Sequence, residues 1–280
     1  MIGVSQNYVL DSISENNGFT YKASPVGQGI FPAVLYSHGG LGGQVGGNLR
    51  QTCIALAQEG YISWCQLRTD TILFSPHITQ VDASLDALLY QPNVDLNNIG
   101  VIGFSRGGLL TLISAISRYS DIQAVITMAP AAANNYLANT LNQASAIDDS
   151  VLILVADNDL YQDNHVQIAM DVFQALDTIT GVRYIQYDAY DSDSNGVINN
   201  LDDGHELFWK VQEPYWSDVI QFLDNNLKNH TTVIESISKV SSKKLLKIIN
   251  ILGRETKGTK NELLFYIYDD GTVEKQIIIE

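Results

Sequence analysis

The chain of 280 residues is 45% hydrophobic and 17% charged and carries a formal net charge of −15 at pH 7. This length suits one sizeable α/β domain and a small appendage. Residues 1–230 hold 8 Lys/Arg against 24 Asp/Glu, which repels phosphate backbones and anionic lipids, so we expect no nucleic-acid or membrane-surface partner. No apolar run reaches the roughly 18 residues that span a bilayer. Residues 1–8 lack the basic and apolar blocks of a signal peptide.

Short apolar runs alternate with amphipathic stretches after a lead-in, residues 1–31, that is irregular or β. Strands are predicted at 33–37, 61–67, 99–104, 124–129, 151–156 and 183–188. Helices are predicted at 46–59, 79–90, 106–118, 135–146, 165–179 and 214–227. This alternation predicts an α/β fold with a mostly parallel, doubly wound sheet covered by helices on both faces.

Residues 231–280 differ in composition from the main domain of residues 1–230. Their lysines cluster, and short apolar runs at 245–252, 263–268 and 273–279 are separated by turn residues. We expect a small β-rich C-terminal appendage without chemistry of its own.

The two cysteines of the chain fall within the main domain. Cys53 lies on a predicted helix and Cys65 on the strand that follows it. A disulfide bridge between them and a pair of buried free thiols both fit this placement.

One segment, residues 99–113, has the pattern of a strand, a sharp turn and a helix. Ser105 stands at the turn, with Gly103 two positions before it and Gly107 two positions after it. Glycines at these positions leave room for the strained turn that lifts a serine hydroxyl above the sheet edge, the G-x-S-x-G nucleophile elbow. The pattern predicts Ser105 as a nucleophile.

A serine nucleophile needs a base within hydrogen-bond reach, and histidine is the usual one. His205 follows the last strand of the predicted core and precedes its last helix, where a loop can lie over the carboxyl ends of the strands. We therefore predict His205 as the base. The remaining histidines lie before the Gly-rich loop, in a loop before a helix, at a helix start and near residue 230.

The acid of a triad in this chain order follows a strand between the serine and the histidine. The strand at 151–156 is followed by Asp157 and Asp159. Asp159, one turn further on, can reach back toward the histidine, whereas Asp157 is better placed to fix the turn itself. We predict Asp159 and keep Asp157 as the alternative.

An oxyanion hole needs backbone N–H groups that face developing negative charge. The Gly-rich residues 37–43 follow the first strong strand and let the backbone curl toward a substrate. We predict one donor at Arg106 N–H and the second at Gly40 or Leu41 N–H. A phosphate cradle is disfavoured because the Lys-Ser/Thr pair of a P-loop is missing.

Together, the Gly-rich loop, the elbow, the strand that ends before Asp159 and the Asp203-Gly-His205 segment resemble α/β-hydrolases of the dienelactone-hydrolase and platelet-activating-factor-acetylhydrolase type. The resemblance covers roughly residues 20–228. It implies an α/β-hydrolase fold, a Ser-Asp-His triad, acyl-enzyme chemistry and ester substrates, with no organic cofactor. Dienelactone hydrolases proper carry cysteine at the elbow, so Ser105 counts against lactone opening.

A possible metal loop precedes His205. Residues 191–202 fit the twelve-position calcium loop, with Gly196 at position 6. The candidate ligands are Asp191, Asp193, Asn195, Val197 through its carbonyl, Asn199 and Asp202. Position 12 is Asp instead of Glu and a strand precedes the loop, so we expect a lone structural Ca²⁺ site. The alternative is an acidic surface turn.

The C-terminal segment has a resemblance of its own. The Leu-Gly-Arg-Glu and Asp-Gly-Thr-Val-Glu-Lys portions of residues 243–280 resemble the C-terminal sorting segment of type IX secretion substrates in Bacteroidetes-type bacteria. The resemblance implies contact with secretion machinery and a secreted or cell-surface location. A β appendage that packs on the main domain is the alternative.

These expectations combine into a secreted serine esterase that acts on short-chain or polymeric esters. No long insertion interrupts the core, so we expect an open site. Residues 68–77 and 129–136 are its candidate walls, with Trp64, Phe74 and Tyr136 available to contact an acyl or aromatic group. Two other readings stay open: a serine peptidase of the prolyl-oligopeptidase type and a non-catalytic binding protein on a hydrolase fold.

The calcium loop generates the first testable prediction. Its last ligand, Asp202, stands three residues before His205, so an empty loop leaves the base on a self-repelling acidic segment. Excess chelator should lower the melting temperature and reduce the rate of hydrolysis by a smaller factor. A melting temperature that is the same with calcium and with chelator would contradict the prediction.

Overall fold

The structure is a computed structural model that describes residues 7–15, 18–42, 47–177, 181–194, 196, 203–228, 245–250, 254–256, 263–268 and 273–277. The chain divides into two compact units, Met1–Thr231 and Thr232–Glu280. No helix among these residues is both long and apolar enough to cross a membrane.

The first unit is built around one sheet. Its strands are β1 (Tyr8–Glu15), β2 (Gly18–Pro25), β3 (Phe31–Ser37), β4 (Ile62–Gln66), β5 (Val94–Phe104), β6 (Ala124–Met128), β7 (Ser150–Ala156) and β8 (Arg183–Tyr187). They lie in the order β1-β2-β4-β3-β5-β6-β7-β8. β3 to β8 are mutually parallel, while the β1–β2 hairpin joins β4 antiparallel. The predicted mostly parallel sheet is confirmed.

Helices follow most of the parallel strands. They are α1 (Leu49–Gln58), α2 (Ser75–Leu89), α3 (Arg106–Ser117), α4 (Asn135–Leu141), α5 (His165–Leu176), α6 (Asp203–Glu206) and α7 (Tyr215–Leu223). The prediction of one helix over 135–146 is wrong in extent. Asn142 and Gln143 are exposed, so the apolar spacing breaks there and a 3₁₀ turn, Ala144–Ala146, follows α4.

Helices cover both faces of the sheet because consecutive strand residues point to opposite sides. On one face, Ile102 and Leu154 pack in a buried cluster with side chains of α1 and α7. On the other face, Val101 and Ile153 pack with side chains of α2, α3 and α5. Strands buried on both faces in this way form a rigid platform, and the carboxyl ends of β3, β5 and β7 meet at one edge of it.

The second unit contains a three-stranded antiparallel sheet with β10 (Leu263–Tyr268) between β9 (Leu245–Asn250) and β11 (Val273–Ile277). The β-rich C-terminal appendage expected from the sequence is therefore confirmed. In the first unit, Cys53 and Cys65 are both buried free thiols.

Candidate active site

Ser105 occupies a strained turn between β5 and α3. Its φ of 54° and ψ of −118° lie in a region that non-glycine residues seldom adopt. Two backbone hydrogen bonds hold it there: Ser105 N–H donates to Met128 O at 2.8 Å, and Ala131 N–H donates to Ser105 O at 3.0 Å. The turn places Ser105 at a cavity above the carboxyl edge of the sheet.

The two glycines of the elbow are required by close backbone contacts. A Cβ on Gly103 would lie 2.1 Å from Gly107 O, and a Cβ on Gly107 would lie 2.0 Å from Ser37 O. Both distances are far below van der Waals contact. A side chain at Gly103 would force the start of α3 away from β5, and one at Gly107 would force it away from β3, so either would distort the elbow.

His205 lies on α6, a four-residue helix where the sequence predicted only a loop. Its Nδ1 lies 2.8 Å and 3.0 Å from the two carboxylate oxygens of Asp159, and both side chains are buried. Gly204 permits this approach, since a Cβ there would lie 2.5 Å from Asp159 N. The rings of Phe104 and Tyr161 lie 4.6 Å and 4.9 Å from the imidazole and hold its plane.

The structure distinguishes between the two candidate acids. Asp159 follows β7 and is 0% exposed beside His205. Asp157 is exposed and accepts a hydrogen bond from Gln186 Nε2 on β8 at 2.5 Å. Asp159 is therefore the carboxylate that can orient the imidazole, while Asp157 contributes to the turn.

Two other histidines are structural. His38 Nε2 accepts from Arg68 N–H at 3.1 Å, and burial lowers the pKa of His38 well below its ordinary value. His77 Nε2 donates to Thr69 O at 2.8 Å, and its Nδ1 accepts from Arg106 Nε at 2.9 Å. Burial lowers the pKa of His77 to about 4, so both rings are neutral at pH 7.

His165, the first residue of α5, lies unexpectedly close to His205. Its ring centroid is 4.4 Å from that of His205, and Asp159, His165 and His205 form a group of potential metal ligands within the described residues. The nitrogens of His165 face the carbonyls of Pro130 and Tyr161 at 3.1 Å and 2.9 Å, and His205 Nδ1 faces Asp159. These contacts fit a hydrogen-bonded triad better than a metal centre.

The predicted oxyanion donors border the same cavity. Gly40, Leu41 and Arg106 all line it. Arg106 begins α3, so its N–H has no acceptor within the helix. Its guanidinium is held outside the hole, where Nη2 donates to Leu73 O at 2.7 Å and the group lies over the Phe74 ring at 4.7 Å.

The cavity has a volume of about 540 Å³. It is lined by Gly40, Leu41, Phe104, Ser105, Arg106, Ala131, Ala132, Ala133, Tyr161, Gln162, Asp163, His165, His205 and Trp209. Of the two expected wall segments, residues 129–136 contribute Ala131, Ala132 and Ala133, and residues 68–77 contribute none. The expected contact residues Trp64, Phe74 and Tyr136 are absent from this lining. Phe74 and Tyr136 instead pack on each other at 4.5 Å, and Trp64 is buried in the core.

Sequence reasoning missed the aromatic residues that do border the cavity. Tyr161 follows Asp159 by two positions and Trp209 follows His205 by four. Their proximity in sequence to Asp159 and His205 is the only signal that could have indicated them. Their orientation toward the cavity depends on turns that have no recognisable motif.

The calcium prediction is untested, because four of its six candidate ligands, Asn195, Val197, Asn199 and Asp202, lie outside the described residues. Asp191 and Asp193 are described, and Asp191 Oδ2 accepts a hydrogen bond from Gly196 N–H at 2.7 Å. This bond fits the turn of a calcium loop and equally an ordinary acidic turn.

Comparison with known proteins gives one family match. A model of the dienelactone hydrolase family matches residues 69–179. The matched stretch includes Ser105 and Asp159 but neither His205 nor the loop that carries Gly40. No curated protein matches the chain.

Solved structures resemble the chain over most of its length. A putative dienelactone hydrolase from Klebsiella pneumoniae is 16% identical with a TM-score of 0.59, covering 80% of this chain and 99% of that one. Inhibited esterase B from Lactobacillus rhamnosis is 17% identical with a TM-score of 0.60, covering 81% and 89%. A putative dipeptidyl aminopeptidase IV from Bacteroides ovatus is 17% identical with a TM-score of 0.56, covering 79% and 36%.

These likenesses establish the α/β-hydrolase fold expected from the sequence. With the family match, they support a hydrolase.

The contrast between the two aspartates gives a testable prediction. Asp159→Asn should lower kcat for p-nitrophenyl acetate by roughly 10³- to 10⁴-fold, because an amide no longer fixes the imidazole tautomer or stabilises the imidazolium. Asp157→Asn, a matched change two residues away, should stay within about 3-fold of wild type, because an exposed side chain away from His205 contributes little. Equal losses in the two folded variants would contradict the assignment of Asp159.

Proposed function

We propose that the protein is a serine-dependent carboxylic ester hydrolase. One observation carries the proposal: a buried His205–Asp159 pair borders the cavity in which a strained turn presents Ser105. A nucleophile, a base and a group that orients the base are the minimum set for acyl transfer.

The chemistry follows from this arrangement. Ser105 Oγ attacks the ester carbonyl carbon while His205 Nε2 takes its proton, since Nδ1 faces Asp159. The carbonyl π electrons move to the oxygen, which accepts hydrogen bonds from Arg106 N–H and from Gly40 or Leu41 N–H. Collapse of this intermediate breaks the bond to the alcohol, which leaves with the proton from His205. Water then attacks the acyl-enzyme by the same route and releases the acid.

The exposed border of the cavity favours ester substrates that extend beyond the cavity. Leu41 is 37% exposed and Trp209 41% exposed at its border, so apolar and aromatic surface is accessible from solvent. A volume of about 540 Å³ accommodates a short acyl chain. We infer short-chain esters, or esters on a polymer whose chain lies along this border, as the substrate class.

We also propose that the C-terminal unit is a sorting segment. Residues 231–280 hold 8 Lys/Arg and 7 Asp/Glu, in contrast with the strongly acidic first unit, and include a three-stranded antiparallel sheet. Together with the resemblance to type IX sorting segments, this supports an enzyme that is exported and acts at the cell surface or in the medium.

A peptidase is the second candidate. The similarity to the putative dipeptidyl aminopeptidase IV from Bacteroides ovatus favours it, because the two chains share the fold that carries the triad. The likeness covers only 36% of the Bacteroides ovatus chain, so this protein corresponds to one part of that chain.

Matched ester and amide substrates test the proposal. Wild type should hydrolyse p-nitrophenyl acetate, and Ser105→Ala should lower kcat by about 10⁴-fold or more because the acyl-enzyme cannot form. Ser117→Ala, on the same helix with its hydroxyl bonded to Ile113 O at 3.1 Å, serves as the control and should retain wild-type activity.

Two outcomes of this experiment would contradict the proposal. One is faster turnover of the p-nitroanilide of the same acyl group, which would favour the peptidase. The other is equal ester hydrolysis by wild type and Ser105→Ala.

A further inference from the structure

Arg68 is a fully buried arginine directly behind the predicted oxyanion loop. It follows β4 and is 0% exposed. Burying a guanidinium is costly unless its charge and N–H groups find partners. Among the described residues, no ion pair includes Arg68, and its Nε has no hydrogen-bond acceptor. Burial of this cation without a carboxylate partner suggests that its charge has a role in the site.

Within the part of the chain that the structure describes, the hydrogen-bond acceptors of its guanidinium all lie on residues 37–40, the end of β3 and the loop that follows it. Nη1 donates to Ser37 Oγ at 2.9 Å and to His38 O at 2.7 Å. Nη2 donates to Gly40 O at 2.9 Å and lies 3.4 Å from Gly39 O. The guanidinium therefore gathers three successive carbonyls of the loop around one positive charge.

Because the peptide unit is planar, the bond between Arg68 and Gly40 O also fixes the direction of the next N–H group. In a trans peptide the C=O of one residue and the N–H of the next point in opposite directions. Because Gly40 O points at Arg68, Leu41 N–H points away from it. Gly40 and Leu41 line the cavity that Ser105 borders, and a Cβ on Gly39 would lie 3.2 Å from Ser105 Cβ. The loop thus presents Leu41 N–H on its nucleophile side.

We propose that Arg68 is a positioning residue of the oxyanion hole: it fixes the Gly40–Leu41 peptide so that Leu41 N–H, with Arg106 N–H, receives the oxyanion. The inference rests on the proposed function, because an oxyanion forms only if Ser105 attacks a carbonyl. Arg68 Nη2 also contacts Gly39 O, but its bond to Gly40 O is shorter, 2.9 Å against 3.4 Å, which favours Leu41 N–H over Gly40 N–H as the second donor.

The charge of Arg68 strengthens the donor that it orients. A cation at the carbonyl end of a peptide polarises the unit and makes its N–H a better donor, and the effect is larger where water is excluded. Burial, followed by the nearby charge of Arg106, lowers the pKa of Arg68 to about 9, so the guanidinium remains charged at neutral pH. The fixed charge needs no rearrangement when the oxyanion forms.

Arg68→Met and Arg68→Lys test the proposal against a purely structural role. Methionine fills part of the space but releases the carbonyls, and lysine keeps the charge but cannot span both ends of the loop. We expect kcat for p-nitrophenyl acetate to fall by about 10²-fold in Arg68→Met and by about 10-fold in Arg68→Lys, with KM within about 3-fold of wild type.

An alkyl trifluoromethyl ketone supplies a readout that a structural role would not move. Ser105 adds to its carbonyl and leaves a stable oxyanion in the hole, so its affinity reports the oxyanion contacts directly. The affinity should fall by the same factor as kcat/KM in each variant. Arg118→Met, which removes an arginine paired with Asp86 and Asp121 away from the cavity, is the control and should leave kcat and ketone affinity unchanged.

The outcomes separate this inference from the proposed function. If wild type shows no hydrolysis that depends on Ser105, the proposed function fails. If wild type is active and either folded Arg68 variant keeps kcat and ketone affinity within about 2-fold of wild type, only the role of Arg68 is overturned. A rise in KM that accounts for the whole loss of kcat/KM also overturns it. If Arg68→Met does not fold, Arg68→Lys alone decides by the same criteria.

Discussion

The site depends on a backbone contact between the start of α3 and the end of β3. Gly107 lies so close to Ser37 O that a Cβ there would be 2.0 Å from it. This contact brings the elbow at Ser105 against the loop that begins at Ser37, so that Ser105 and the candidate oxyanion donors share one cavity. Beneath this contact, β3 and β5 are held in register by a sheet that is buried on both faces. That rigid support maintains the strained backbone conformation of Ser105.

Two buried groups of opposite charge then flank the proposed reaction. Asp159 lies behind His205, where positive charge develops as the imidazole takes a proton. Arg68 lies behind the loop carrying Leu41, where the proposed oxyanion donors would meet developing negative charge. Each charge acts through an intervening neutral group, the imidazole or a peptide. Folding has already fixed the positions of these charges, so they stabilise a transition state without any rearrangement during the reaction.

Local patterns made much of this arrangement predictable. The glycine spacing around Ser105 is a recognisable local motif, although Gly107 is required by its contact with Ser37 O on β3, and the alternation of strands and helices reflects burial on both sheet faces. The other features depend on contacts between distant segments. α6 is too short to have a period of its own, and Arg68 resembles any other arginine until its Nη1 and Nη2 donors are seen around residues 37–40. The prediction that Phe74 and Tyr136 contact the substrate is wrong for the same reason: the two rings, from distant segments, pack on each other.

The most direct test of a serine-centred site is covalent labelling with a fluorophosphonate, followed by intact-mass measurement and peptide mapping. The phosphorus bonds to the activated serine oxygen and fluoride leaves, so the label identifies the nucleophile independently of substrate choice. The account predicts one adduct per chain, on Ser105, and strongly slowed labelling when His205 is replaced by alanine. A folded protein that forms no adduct, or whose adduct maps to another residue, would contradict it.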